Sequence, residues 1–165
     1  VRDRDLHRKL GWLAAALAVA IIVTGVMTTL GAIRSGRFSP PAMAFVTNIG
    51  GLIPIALLIG AGIQVRRRSD WHRRLLACAT ICIVAPAWAR ILPMESLGLA
   101  GLLAMEAGML APVAWGMIHD RRTQGRIHPA WYWGVAALIS PLFMVPLAFV
   151  PAFAAWAEGF GPVAG

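Results

Sequence analysis

The sequence predicts an all-α membrane protein, a polytopic bundle of about five transmembrane helices. Hydrophobic residues make up 59% of the 165 residues and charged residues only 13%. A soluble core of this size cannot bury that much apolar surface. The apolar residues also form blocks of about twenty, the length that crosses roughly 30 Å of hydrocarbon. The mean hydropathy of +0.72 agrees with both observations.

Charged residues or turn residues separate the apolar blocks. We expect spans at about residues 10–30, 43–64, 74–92, 97–118 and 129–155, within one transmembrane domain, 1–165. Helix-breaking residues should loosen the second span around residues 47–54. Pro141, Pro146 and Pro151 should bend the fifth.

The basic residues predict the orientation. Twelve of the fifteen lie at the N-terminus or in the second and fourth connections, and three, Arg34, Arg37 and Arg90, lie on the opposite side. This bias places the N-terminus in the cytoplasm and the C-terminus outside. The net charge of +8 sits in short loops between apolar spans. The expected partners are therefore membrane lipids and other membrane-protein subunits, and no nucleic acid.

A short motif occurs twice, each time before a span. Asp5-Leu-His7-Arg8-Lys9-Leu10 returns 65 residues later as Asp70-Trp-His72-Arg73-Arg74-Leu75. The offset is the length of a two-helix hairpin, which predicts a repeat of residues 5–64 at 70–118. Parallel repeats are related by an axis along the membrane normal, so His7 and His72 should lie at equal depth.

This histidine pair has two interpretations. Imidazoles from two parallel helices could bind a metal or both axial positions of haem b, with Arg8, Arg73 and Arg74 beside the propionates. Alternatively, the aspartate of each motif caps its helix while the basic residues extend to lipid phosphates, and the histidines bind nothing.

Other candidates are ionisable residues inside or beside spans. Glu106 lies about midway through the fourth span, where a charged carboxylate is costly. It is either a proton-carrying or substrate-contacting acid, or a protonated side chain hydrogen-bonded between helices, for example to Thr80 or Asn48. Arg90 could pair with Glu95 or Glu106, or anchor the interface. His119 and His128 flank the third cytoplasmic loop and could join a metal or haem site, although loop histidines are usually solvated.

Four stretches, in order, carry a resemblance to a known group. They are residues 5–11, residues 70–75, Ala79-Thr-Ile through Ala89-Arg90, and Arg126-Ile-His-Pro-Ala-Trp-Tyr-Trp-Gly134. They resemble a family of bacterial multi-span membrane proteins with a domain of unknown function. The resemblance implies residence in a bacterial inner membrane, and members of the family generally carry about two helices before the first motif. The chain is therefore expected to be a fragment or a shortened member. A more distant likeness to b-type cytochromes rests on the paired histidines.

Three functions follow from these features. The first is a haem- or metal-binding protein that transfers electrons. The second is an accessory subunit of a larger membrane complex. The third is a small transporter or lipid-binding protein that uses Glu106. The sequence contains no nucleotide-binding glycine loop, HExxH zinc motif or nucleophile elbow, so no reaction is assigned to it.

Overall fold

The structure, a computed structural model, describes residues 2–162. It is helical, with no β-strand in that range, which confirms the all-α prediction. Within these described residues, five helices are long and apolar enough to cross a membrane, and the chain is a membrane protein. The spans are Asp5–Arg34, Pro41–Gln64, Ser69–Ile91, Leu99–Gln124 and Ala130–Phe149.

We number the α-helices in chain order. They are α1 (Arg2–Arg34), α2 (Pro41–Ala44), α3 (Gly50–Gln64), α4 (Ser69–Ile83), α5 (Ala85–Ile91), α6 (Met94–Leu97), α7 (Leu99–Gln124), α8 (Ala130–Met144) and α9 (Pro151–Glu158). A π-helical turn, Phe45–Ile49, joins α2 to α3, and a 3-10 turn, Val145–Phe149, follows α8.

The irregularities of the second and fifth spans coincide with helix-breaking residues. The π-helical turn directly precedes α3, which contains Pro54. Proline has no N–H to donate to the carbonyl four residues earlier, so a local change of helical geometry is expected there. The fifth span ends at Phe149, earlier than predicted, because Val150 is extended (φ −72°, ψ 120°) and Pro151 begins a separate helix.

The described chain divides into two compact units. The first contains the residues before Ile53 and after Phe143, and the second is Ile53–Phe143. The boundary falls inside α3 rather than in the loop between the two motif copies.

The first unit is held together by small side chains and aromatic rings. Its buried core consists of Ala42, Val46, Ala148 and Ala157. Beside it, three aromatic rings contact one another, with centroid distances of 4.9 Å for Phe45–Trp156, 5.0 Å for Trp156–Phe160 and 5.2 Å for Phe45–Phe160. The last turns of α1 belong to this unit, since the side chains of Thr29 and Ile33 are buried.

The second unit contains most of the sequence-predicted site residues. At the turn between α3 and α4, the ring nitrogen Nδ1 of His72 and the carbonyl of Gly62 form a 2.8 Å hydrogen bond. Beyond this turn, α4, α7 and α8 pack together through their buried faces. The candidate site lies on these three helices.

Candidate functional site at the interface of α4, α7 and α8

Each of the three helices contributes one buried stripe. On α7 the stripe runs from Glu106 to Asp120 and includes Met109 and Val113. The intervals of three, four and seven residues place these side chains on one helical face. The matching stripe on α4 contains Arg74, Cys78 and Cys82, and the one on α8 contains Trp131, Gly134 and Leu138.

Two glycines allow the helices to approach closely. A Cβ at Gly116 would overlap the ring of Trp131, and a Cβ at Gly134 would overlap the sulfur of Cys78. Small residues at such positions are the usual means by which membrane helices pack, because lipid supplies no hydrophobic driving force between them. The glycines therefore allow the tryptophan and the cysteine to fill the interface.

A buried ion pair occupies one end of the interface. The Arg74 guanidinium donates two hydrogen bonds to the Asp120 carboxylate, from Nε to Oδ2 at 2.8 Å and from Nη2 to Oδ1 at 2.6 Å. Both residues are only 3% exposed. The geometry is the parallel, two-pronged pairing that makes arginine–carboxylate contacts strong and directional.

The neighbours of this pair use its remaining hydrogen-bonding capacity. The indole N–H of Trp131 donates to Oδ2 of Asp120 at 2.8 Å, and the Gln124 amide donates to Oδ1 at 3.1 Å. Nη1 of Arg74 donates to the carbonyl of Asp70 at 2.9 Å. We call Arg74, Asp120, Gln124 and Trp131 the arginine clasp. With four donors on one carboxylate, the clasp joins three helices and leaves Asp120 little capacity for a ligand.

Glu106 presents the opposite situation on the same helix. Its side chain is 8% exposed, and its Oε2 atom is buried with no hydrogen-bond partner in the described part of the chain. The separation of fourteen positions from Glu106 to Asp120 corresponds to about 21 Å along the helix.

The donors expected for Glu106 from the sequence are used elsewhere. The Thr80 hydroxyl donates to the carbonyl of Leu76 at 2.9 Å. The Asn48 amide donates to the carbonyl of Ala44 and to the Thr47 hydroxyl. Arg90 is exposed and donates to the carbonyl of Pro86 on its own helix. The side chain of Glu95, its other expected partner, lies outside the described part of the structure.

His128 lies two residues before the start of α8. Its Nδ1 atom accepts a hydrogen bond from the backbone N–H of Ala130 at 3.2 Å. Its ring packs edge-on against the Trp71 ring, with the two centroids 5.0 Å apart. Burial, together with the positive charge of Arg74, lowers the pKa of His128, whereas the carboxylates of Asp120 and Asp70 act in the opposite direction. The imidazole is therefore held neutral, as its accepting Nδ1 requires.

The remaining histidines and their motifs have different surroundings. His7 is exposed on α1, His72 is half-buried at the start of α4, and His119 is exposed on α7. The expected approach of His7 to His72 stays a prediction. Within residues 2–162, no group of three or more His, Cys, Asp or Glu side chains is arranged to hold a metal ion. A haem with two axial histidines needs only two protein ligands, so the lack of a three-residue group in this range does not bear on haem binding.

The interpretation of Asp5 and Asp70 as helix caps is wrong. Helix α1 already begins at Arg2, and the capping position of α4 is Arg68. Each aspartate instead pairs with the arginine three residues later, Asp5 with Arg8 at 3.2 Å and Asp70 with Arg73 at 3.0 Å. Helical spacing brings such pairs together on an exposed surface, where they contribute little stability. Arg8 and Arg73 are exposed, and their pairing with haem propionates stays a prediction.

The arginine clasp is not predicted by the sequence, which suggests haem propionates or lipid phosphates as the partners of Arg74. The structure instead buries the Arg74 guanidinium against Asp120. One available signal was that an arginine opening the third span and an aspartate closing the fourth fall at the same predicted membrane face. A carboxylate at such a depth requires a partner.

Comparisons of this chain with models of protein families, with curated proteins and with solved structures found no match.

Proposed function

We propose that this chain is a small membrane transporter that takes up and releases a proton at Glu106. The observation that supports this proposal is the buried Oε2 atom of Glu106, which has no hydrogen-bond partner in the described chain. The atom lies in a helix that is long and apolar enough to cross a membrane.

The cost of a buried charge explains why a proton is the expected ligand. An ionised carboxylate without a partner is expensive in hydrocarbon, by several kcal/mol at least. The neutral acid avoids most of that cost, so the resting form of Glu106 carries a proton. A movement that admits water or a polar substrate would stabilise the anion and release the proton.

Asp120 supports this assignment by contrast. A membrane carboxylate with a purely structural role should be saturated with donors, as Asp120 is. Glu106 lies on the same buried stripe of the same helix and lacks such partners. A buried acid left in this condition is a candidate for function because it lowers stability without forming a structural contact.

Labelling with dicyclohexylcarbodiimide tests the proposal. This apolar reagent modifies carboxyl groups that are protonated in an apolar environment. Protein in membranes at neutral pH should be labelled at Glu106, located by peptide mass spectrometry. The variant Glu106→Gln should not be labelled. The chain has seven acidic residues, and the exposed Asp5, Asp70 and Glu158 provide internal controls that should stay unmodified.

Two outcomes of this labelling would count against the proposal. One is an unmodified Glu106 under conditions that modify a known membrane carboxyl. The other is equal labelling of Glu106 by a water-soluble carbodiimide, since that would place the carboxyl in an aqueous environment.

A second candidate function is haem binding through His72. The hydrogen bond from its ring to the Gly62 carbonyl supports this candidate. Ligating histidines commonly donate one ring N–H to a carbonyl, which fixes the orientation of the ring. Haem bound there would supply one-electron transfer, the redox role expected from the sequence.

An absorption spectrum of the purified protein tests this second candidate. Haem binding predicts a Soret band that is lost in His72→Ala and kept in the matched variant His119→Ala, whose side chain is exposed on α7. Absence of the band after expression with added haem would eliminate the candidate. That result would leave the proposal for Glu106 unaffected.

A further inference from the structure

Six exposed arginines lie at one end of the second unit. Three form the loop between α3 and α4, and three lie at the end of α7 and in the loop that follows it: Arg66, Arg67, Arg68, Arg121, Arg122 and Arg126. Contacts within the unit bring the two groups to the same end. The Trp71 ring packs against His128, and Arg74 pairs with Asp120.

The charge of this end is strongly unbalanced. Residues 61–75 and 119–130 contain eight arginines and two aspartates. Asp120 is buried by its pairing with Arg74, and Asp70 is paired with Arg73 at 3.0 Å. The six exposed arginines therefore face their surroundings without a comparable number of carboxylates. Such a surface attracts anions that carry several oxygen acceptors.

Neighbouring apolar side chains set the depth of this end in a membrane. Ile63 lies three residues before Arg66 and is 37% exposed, and Ile118 lies three residues before Arg121 and is 48% exposed. At the start of α8, Tyr132 and Trp133 are 55% and 63% exposed. Large exposed aliphatic residues belong in the acyl region, and exposed aromatic residues belong at the interface. The arginines lie about one helical turn beyond Ile63 and Ile118, which places them at the depth of the lipid phosphates.

We propose that this arginine-rich end binds the phosphate groups of anionic phospholipids of the surrounding bilayer. The depth argument favours lipid over a soluble acidic protein, because exposed apolar and aromatic residues continue directly into the arginine surface. Guanidinium groups match phosphate oxygens in geometry and can donate two parallel hydrogen bonds to them. The inference does not depend on Glu106 or on haem.

Spin-labelled lipids test the proposal in proteoliposomes of the full chain. The measurement is the motionally restricted fraction of spin-labelled phosphatidylglycerol compared with that of spin-labelled phosphatidylcholine. The unmodified protein should restrict phosphatidylglycerol several-fold more strongly, and added salt should reduce the preference. The variant Arg66→Gln/Arg67→Gln/Arg68→Gln should lose most of it.

Two further variants distinguish a local site from a general effect of charge. Arg121→Gln/Arg122→Gln/Arg126→Gln should also reduce the preference and provides a second test if the first variant fails to fold. The matched control Arg34→Gln/Arg37→Gln changes two exposed arginines of the first unit and should keep the preference.

Three results would overturn the proposal. One is equal restriction of the two lipids by the unmodified protein. Another is an equal loss of preference in the control and in both triple variants. The third is binding of soluble polyglutamate to the protein in neutral membranes without any lipid preference, which would assign the arginine-rich end to an acidic protein partner.

Discussion

The two buried acids of α7 have contrasting surroundings. Asp120 accepts hydrogen bonds from Arg74, Trp131 and Gln124, whereas the buried Oε2 atom of Glu106 has no partner in the described chain. Both residues lie on the stripe that faces α4 and α8. The difference shows that burial of an acid does not by itself reveal its role. The number of donors around the acid distinguishes a structural contact from a functional candidate.

Replacing each acid by its amide gives the largest expected contrast. Asp120→Asn removes the negative charge and leaves the Arg74 guanidinium buried without a counter-ion. Breaking a buried pair in this way costs about 3–5 kcal/mol of unfolding free energy. Glu106→Gln keeps the shape of the side chain and should leave the unfolding free energy unchanged or raise it. Thermal unfolding in the same detergent measures both variants, and an equal loss in both would refute the comparison.

The two copies of the sequence motif provide a second contrast. Arg74 is buried in the clasp, while Lys9 at the matching position of the first copy is exposed. Arg74→Gln should lower the unfolding free energy by about 3 kcal/mol, because Asp120 is then left without its cation. Lys9→Gln should leave the melting temperature within error. Similar melting temperatures for the two variants would mean that the clasp contributes nothing.

A smaller effect is expected from adding a methyl group at Gly116, where α7 and α8 approach each other closely. Gly116→Ala places a methyl group against the Trp131 ring. The resulting shift of the ring should cost about 1–3 kcal/mol of unfolding free energy. Gly60→Ala is the matched control, because a Cβ at Gly60 has no neighbour within 4 Å, so this variant should be neutral or slightly stabilising. Equal effects of the two alanines would contradict the packing described for α7 and α8.

The smallest expected effect is a pH dependence from His128. Its pKa is lowered in the folded protein, so the unfolded chain binds a proton that the folded chain excludes. The unfolding free energy contributed by neutral His128 is therefore present above the unfolded pKa, about 6.5, and falls as the pH drops below that value. His128→Asn keeps an acceptor for the Ala130 N–H and does not titrate. Unfolding curves at pH 7.5 and 5.5, about one unit either side of the unfolded pKa, should differ less for this variant than for the unmodified protein.

The helices of this protein could be predicted from sequence because lipid imposes a simple requirement. Every apolar block long enough to cross the hydrocarbon must be helical if its backbone groups are to be satisfied. The π-helical turn before Pro54 and the start of a separate helix at Pro151 follow equally from missing N–H groups. Glu106 was also recognisable, since an acid at that position in an apolar block is unusual.

The arginine clasp could not be predicted in the same way. The two copies of the Asp-x-His-Arg-basic-Leu motif are nearly identical in sequence, yet Leu10 in the first copy is 53% exposed and Leu75 in the second is 3% exposed. Burial of the second copy depends on Asp120, Gln124 and Trp131, which lie about fifty residues later on other helices. A local motif specifies the helix but does not specify which of its faces meets a partner.

An infrared titration is the most direct test of the proposal that Glu106 takes up and releases a proton. The carbonyl stretch of a protonated carboxyl group is separate from the bands of an ionised one. Glu106 should give such a band in membranes at neutral pH, Glu106→Gln should lack it, and raising the pH should remove it reversibly. A Glu106 band that is absent at neutral pH, or one that does not change with pH, would contradict a proton-exchanging role.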